Sequence, residues 1–307
     1  MTLVVLTLSA CANASAESCA AGLTTNPVKF ESALTYDDLE SKSNPAVHVH
    51  INGKLVKMQV DSGSNLHSLW DRSLIDDSPS LKSMKLDASS GSTDARLAKA
   101  TLADAHGNSF RQEFALFGDS ALAQDGFSGI LSPQAIAGLD AAVIDFDRNC
   151  FFISAPFSVS AHEHLHVARG FAIQNPHDVM AVSADLDGHI IPVLIDSGAS
   201  STMIQASLIE SNPKGKESPQ LMDLLKNEVL RGDHMRLVDL KINGVVFKSL
   251  PVIPRLATDE EGVANFGYIG MDILKERVVY YDGAKREFNL LTRLKFDKPL
   301  GDRTLED

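Results

Sequence analysis

Two stretches of this chain repeat one pattern. "HINGKLVKMQVDSGS" ends at Ser64 and "DLDGHIIPVLIDSGA" ends at Ala199. In each, a glycine (Gly53, Gly188) stands eight residues before an aspartate (Asp61, Asp196) that opens an Asp-Ser-Gly. Asn-Gly and Asp-Gly between apolar runs are two-residue hairpin turns. The agreement continues downstream in the same order. "SLI" recurs at Ser73 and Ser207, and a second turn recurs in "HGNSF" (Gly107) and "NGVVF" (Gly244). "GILSPQAI" (Leu131) then answers "GYIGMDIL" (Ile269), and a strand-turn-strand follows each of these, "AVIDFDRNCFFIS" and "VVYYDGAKREFNLL". An internal repeat of this length constrains the fold more than composition can, because both halves must adopt one topology.

Each copy is rich in β-branched and apolar runs punctuated by Gly, Asn and Asp, which predicts two small, mostly β lobes. The spacing places them at residues 45–155 and 178–296. Residues 156–177, "PFSVSAHEHLHVARGFAIQNPH", lack the pattern and read as a linker. Residues 17–44 read as an N-terminal tether and 297–307 as a tail.

An Asp-Ser-Gly directly after a buried strand holds its carboxylate on a rigid turn, and the glycine (Gly63, Gly198) permits close approach of another backbone. If the two turns meet across a pseudo-twofold axis, Asp61 and Asp196 face each other at a few ångströms. Like charges so close cannot both ionise, so the pair shares a proton. One member is then a base while the other is an acid, the combination that activates water and protonates a carbonyl together. Neither a metal nor an organic cofactor is called for. The Ser62 and Ser197 hydroxyls can bond across the pair to the opposite loop's backbone. Two unrelated Asx turns would also contain these letters, but would leave the repeat unexplained.

These motifs resemble those of the aspartic proteases, pepsin-like and retroviral. The resemblance lies in an apolar-apolar-Asp-Thr/Ser-Gly-Ser/Ala turn and a downstream apolar-apolar-Gly in each half, here "VDSGS", "IDSGA", "SGILS" and "YIGMD". It covers both lobes. It implies the acid protease fold, mostly β, with two pseudo-twofold-related, barrel-like lobes and a cleft between them. It implies Asp61 and Asp196 as the catalytic pair, supported by Ser62, Gly63, Ser64, Ser197 and Gly198. It further implies hydrolysis of peptide bonds in an extended peptide, by one chain acting as a monomer.

The chain departs from that family in two places. Ser132 stands where the first apolar-apolar-Gly would end, which bears on local packing, while Gly270 keeps the glycine in the second. No flap tyrosine lies between Asp61 and "GILS", so the flap is expected to be glycine-tipped, with Gly91 in "SSGST" and Gly232 in "LRGDH" as candidate tips or ordinary surface turns. His162, His164 and His166 alternate in "HEHLH" and are read as a solvated strand, with zinc as the competing reading. His67 is expected on the outer side of its turn, and Trp70 in the core. A catalytically silent peptide-binding or envelope assembly protein on the same fold is the alternative function.

A formal net charge of −12 over 307 residues argues against a nucleic-acid partner, since phosphate binding needs clustered Lys and Arg. The first residues, "TLVVLTLSA", read as an export signal within residues 1–16 or as an apolar N-terminal strand. "LSAC" would make Cys11 a lipidated mature N-terminus, and Ala14 to Ala16 would instead permit ordinary cleavage. The expected location is periplasmic, and on the lipid reading the outer membrane. With Cys11 set aside, Cys19 and Cys150 either pair in an oxidising compartment or remain two buried thiols.

Overall fold

The computed structural model describes residues 18–75, 82–88, 91–159, 165–169, 180–242, 245–256 and 266–293. The signal segment with Cys11, His162, His164, Gly244 and the 297–307 tail lie outside them.

The first strand is β1 (Val28–Ala33), and the first lobe follows with β2 (Ala46–Ile51), β3 (Lys54–Val60), β4 (His67–Leu69), β5 (Lys82–Ala88), β6 (Gly91–Ala103), β7 (Ser109–Leu116) and β8 (Phe127–Leu131). The predicted Asn-Gly turn joins β2 to β3, with Ile51 opposite Lys54. Both turn residues have positive φ, 49° at Asn52 and 83° at Gly53, the pairing that matches strand twist in a two-residue hairpin. The order β2-β3-β8-β4-β7-β6 closes by a β6–β2 pairing, so the lobe is a six-stranded barrel with β5 on its outer edge. Alternation decides what faces inward. Phe114 and Leu116 on β7 and Leu131 on β8 enter the main core, while Ala115, Phe117 and Ile130 face out into a second apolar cluster.

After α1 (Pro133–Ala137) come β9 (Ala141–Asp145), β10 (Cys150–Ser154) and β11 (Leu165–Arg169). The second lobe repeats the first with β12 (Ala181–Leu186), β13 (His189–Ile195), β14 (Met203–Gln205), α2 (Ala206–Ile209), β15 (Lys214–Glu217), β16 (His234–Ile242), β17 (Val245–Arg255), β18 (Gly267–Ile269) and α3 (Met271–Leu274). Its order β12-β13-β18-β14-β17-β16 closes through β16–β12, with β15 outermost. The Asp187-Gly188 turn has the same positive φ pair, 49° and 90°. In both barrels the short strand carrying the apolar-apolar-Gly motif, β8 or β18, wedges between two neighbours. A Cβ on Gly129 would stand 2.2 Å from the Ser68 carbonyl oxygen, and one on Gly267 2.1 Å from that of Met203. The repeated glycine of "GILS" and "GYIG" is thus a packing requirement.

β19 (Arg277–Asp282) and β20 (Glu287–Arg293) complete a third sheet, β1-β10-β9-β19-β20-β11, in which β9 pairs antiparallel with β19. Three expectations from the sequence change here. The strand-turn-strand closing each repeat leaves its own lobe and joins the two halves, because its strands are buried on both faces and need a partner sheet. The described part of the 17–44 tether, 18–44, is not free: β1 pairs along β10, Phe30 is fully buried against Phe151 at 5.8 Å between ring centroids, and Cys19 is disulfide-bonded to Cys150. The linker, 156–177, supplies β11, which carries His166 and pairs with β20. One continuous core runs from the first barrel (Val49, Leu131) through the shared sheet (Ile144, Val279) into the second (Val193, Ile269).

Candidate active site

The two Asp-Ser-Gly turns lie where β3 and β13 leave their barrels. Val60 and Ile195 are fully buried, and the next backbone amide in each case is held by the wedge strand: Asp61 N donates to Leu131 O at 3.1 Å, and Asp196 N to Ile269 O at 3.0 Å. Each carboxylate then folds back on its own turn. Asp61 Oδ1 accepts from Gly63 N at 2.8 Å; Asp196 Oδ1 accepts from Gly198 N at 2.9 Å and Ala199 N at 3.1 Å.

Four reciprocal bonds tie the turns together. Ser62 Oγ donates to Ile195 O at 2.7 Å and accepts from Ser197 N at 3.0 Å; Ser197 Oγ donates to Val60 O at 2.8 Å and accepts from Ser62 N at 3.0 Å. Both serines are fully buried, so every one of these groups would be costly to leave unpaired. The two glycines let the carboxyl groups meet. A Cβ on Gly63 would sit 2.7 Å from Asp196 Cγ, and one on Gly198 2.8 Å from Asp61 Cγ. The structure therefore brings together Asp61, Ser62, Gly63, Asp196, Ser197 and Gly198. Ser64 stands one step back: its Oγ donates to Leu66 O at 2.8 Å, and its carbonyl accepts from Ser132 Oγ at 2.7 Å.

Burial raises the proton affinity of both aspartates. Asp61 is pushed well above the usual carboxylate range, first by desolvation and then by the Asp196 charge beside it. Asp196 is also raised by burial, but the Asp61 hydrogen bond and the amides of Gly198 and Ala199 favour its ionised form. The pair titrates as a unit, with the proton favoured more strongly on Asp61 and the ionised form better supported on Asp196.

Behind the dyad the halves diverge. Position six after each aspartate is His67 in one and Thr202 in the other. Thr202 Oγ1 donates to Asp272 at 2.7 Å and accepts from Gly270 N at 3.2 Å. His67 Nδ1 accepts from Ser132 N at 3.1 Å. His67 is fully buried rather than on the outer side of its turn, because β4 turns it inward against Phe114. Desolvation lowers its pKa to about 4. Ser132 replaces glycine without strain: its Oγ caps α1 by accepting from Ala135 N at 3.2 Å, whereas a Cβ on Gly270 would stand 2.6 Å from the Ser201 carbonyl carbon.

Two supporting residues escaped the sequence reading, Gln134 and Asp272. Gln134 Nε2 donates to Ser62 O at 2.7 Å, while Asp272 holds Thr202. The signal was present, since both stand two residues after the last position of the apolar-apolar-Gly motif.

Of the flap candidates, Gly91 opens β6 at the end of the β5–β6 hairpin, opposite Ala88. Gly232 is not a tip. Its amide donates to Pro254 O, and its open face lies against the Pro254 ring. The tip of that region is at 224–226, because 221–229 folds into a hairpin of its own that carries the turn forward. Trp70 is buried, donating Nε1–H to Phe127 O at 2.6 Å. Among the described residues one group of potential metal ligands converges, Cys19, Glu31 and Cys150, and its two sulfurs are joined to each other.

Two closed six-stranded barrels meeting at paired Asp-Ser-Gly turns define the two-lobed fold of the aspartic proteases. The aspartyl protease family model matches residues 182–273, the stretch from β12 into α3 that contains Asp196 and the "YIGMD" motif. No curated protein matches the chain.

Proposed function

We propose that the protein is an aspartic endopeptidase that hydrolyses peptide bonds with a water activated between Asp61 and Asp196. The observation that carries this reading is the reciprocal bracing of the two turns, which holds two half-buried carboxyl groups together, each with its proton affinity raised. Asp196 takes a proton from the water as its oxygen adds to the carbonyl carbon, and Asp61 gives its proton to the carbonyl oxygen. The resulting gem-diol collapses when the proton held by Asp196 passes to the amide nitrogen and the C–N bond breaks. A gem-diol hydroxyl returns a proton to Asp61, leaving a carboxylic acid, an amine and the starting dyad. Both aspartates come from one chain, so a monomer suffices, and the substrate is an extended peptide lying across the cleft. The Cys19–Cys150 bond supports a location in an oxidising compartment outside the cytoplasm.

Asp61→Asn and Asp196→Asn are each expected to lower peptide hydrolysis by at least about a thousandfold, since neither acid nor base can then be regenerated. Circular dichroism should show both variants folded. A statine-type peptide should inhibit the wild type, and a chelator should not. Turnover in either variant equal to that of the wild type would refute the reading.

A further inference from the structure

The second lobe reaches across the cleft into the first. Residues 221–229 form a tight hairpin: Val229 N donates to Leu221 O at 2.9 Å and Asp223 N to Asn227 O at 2.9 Å. Its tip is fixed from within, because the Asp223 carboxylate accepts from Leu225 N at 2.9 Å and Asn227 N at 2.8 Å, with Lys226 at φ 67°. Its root belongs to the second lobe, where Leu221 and Val229 pack with Leu194, Met203 and Tyr268. Its tip belongs to the first. Leu224 and Leu225 pack against the outward-facing cluster of Trp70, Phe117, Phe127 and Ile130, and Leu224 O accepts from Ala121 N at 3.2 Å. Lys226 pairs with Asp119, and a side chain on Gly91 would meet the Asn227 amide at 3.6 Å.

That apolar cluster lies on the outward face of the first barrel and adjoins the dyad turn along the chain. Ile130 precedes Leu131, whose carbonyl holds Asp61 N, and Leu66 packs into the cluster five residues after Asp61. The β5–β6 hairpin adds Met84 and Leu86 to the same cluster. On the proteolytic reading, an extended peptide passing between dyad and hairpin would compete with Leu224 and Leu225 for this cluster.

We propose that hairpin 221–229 is a self-docked strap: it fills the apolar pocket of the resting cleft with this chain's own leucines and yields it to an apolar side chain of an incoming peptide. What enters rests on the proteolytic reading; the competition itself does not. The ties suit a strap that must lift. Leu224 and Leu225 are only half-buried, among the described residues one backbone bond ties them to the first lobe, and the Lys226–Asp119 side chains are 37% and 66% exposed, which makes that ion pair weak. A site open only part of the time binds more weakly by the open fraction, so loosening the strap tightens binding.

The test is the affinity of a leucine-rich peptide for protein carrying Asp61→Asn, which cannot turn it over, followed through Trp70, the single tryptophan of the chain. Adding Leu224→Ala and Leu225→Ala should tighten binding about five- to tenfold and increase acrylamide quenching of Trp70. Lys226→Glu, a surface change, should act in the same direction. Conversely, a disulfide between Ala121→Cys and Leu224→Cys should lock the strap and abolish binding. Unchanged or weaker affinity in the leucine variants, or full affinity in the locked protein, overturns the proposal. Cleavage of the same peptide by protein with an intact dyad is read separately: strap-dependent binding without cleavage would refute hydrolysis and leave the strap standing.

Discussion

His67 should set the acid limit of the fold. It is buried and neutral, its Nδ1 accepting from Ser132 N, and burial holds its pKa near 4 against the usual 6.5. Nε2 makes no hydrogen bond of good geometry among the described residues, although the Gln112 side chain lies close enough to favour the proton. Protonation would place an N–H at Nδ1 facing the Ser132 N–H, donor against donor, and would charge a ring packed on Phe114. The folded state therefore binds fewer protons than the unfolded chain between pH 6.5 and about 4. Its contribution to stability is complete above pH 6.5 and is lost as pH falls toward 4, where both states become protonated. At about 1.4 kcal/mol per pH unit the whole gap amounts to roughly 3 kcal/mol, most of which is gone by pH 4.5. The assay is urea unfolding at pH 7.5 and 4.5 of the wild type and of His67→Thr, which installs the residue that the second half carries at this position. Subtraction cancels every carboxyl group common to the two proteins. The variant should lose about 2–3 kcal/mol less than the wild type between the two pH values, whatever the substitution costs at pH 7.5. A difference between the proteins that does not vary with pH would refute the reasoning, and would mean that His67 finds a proton-accepting environment on opening only slightly.

Other expectations follow from the site. Gly63→Ala or Gly198→Ala drives a methyl group to within 2.7 or 2.8 Å of the opposite aspartate; each should destabilise by about 2–3 kcal/mol and abolish hydrolysis, and a fully active Gly63→Ala would show that the turns do not meet as described. Replacing both Cys19 and Cys150 by serine releases a 131-residue loop and should cost about 4 kcal/mol in urea unfolding. An unchanged midpoint would mean that the N-terminal segment holds to β10 without its crosslink.

How much of this was legible beforehand depended on the range of the interaction. Hairpins are written in neighbouring residues, so Asn52-Gly53 and Asp187-Gly188 could be read directly, and so could the rigid turns that carry Asp61 and Asp196. Because the pattern occurs twice, the sequence also determined that two like barrels form and that their turns are equivalent. Contacts between residues far apart in the chain were decided only by tertiary structure. The strands β9, β10, β19 and β20 look like the ends of two lobes, yet burial on both faces gathers them into one shared sheet, which then captures β1 and β11. The alternation around His67 does not say which side of β4 is inside; Phe114, from a strand that pairs with it only in the closed barrel, does. Gly232 has the letters of a turn, but the Asp223 carboxylate closes a different one several residues earlier, and the tip packs on an apolar cluster built from the other half. Local chemistry specifies a turn wherever two or four residues suffice to satisfy its hydrogen bonds, whereas burial is shared among distant segments and is settled only when the whole chain has closed.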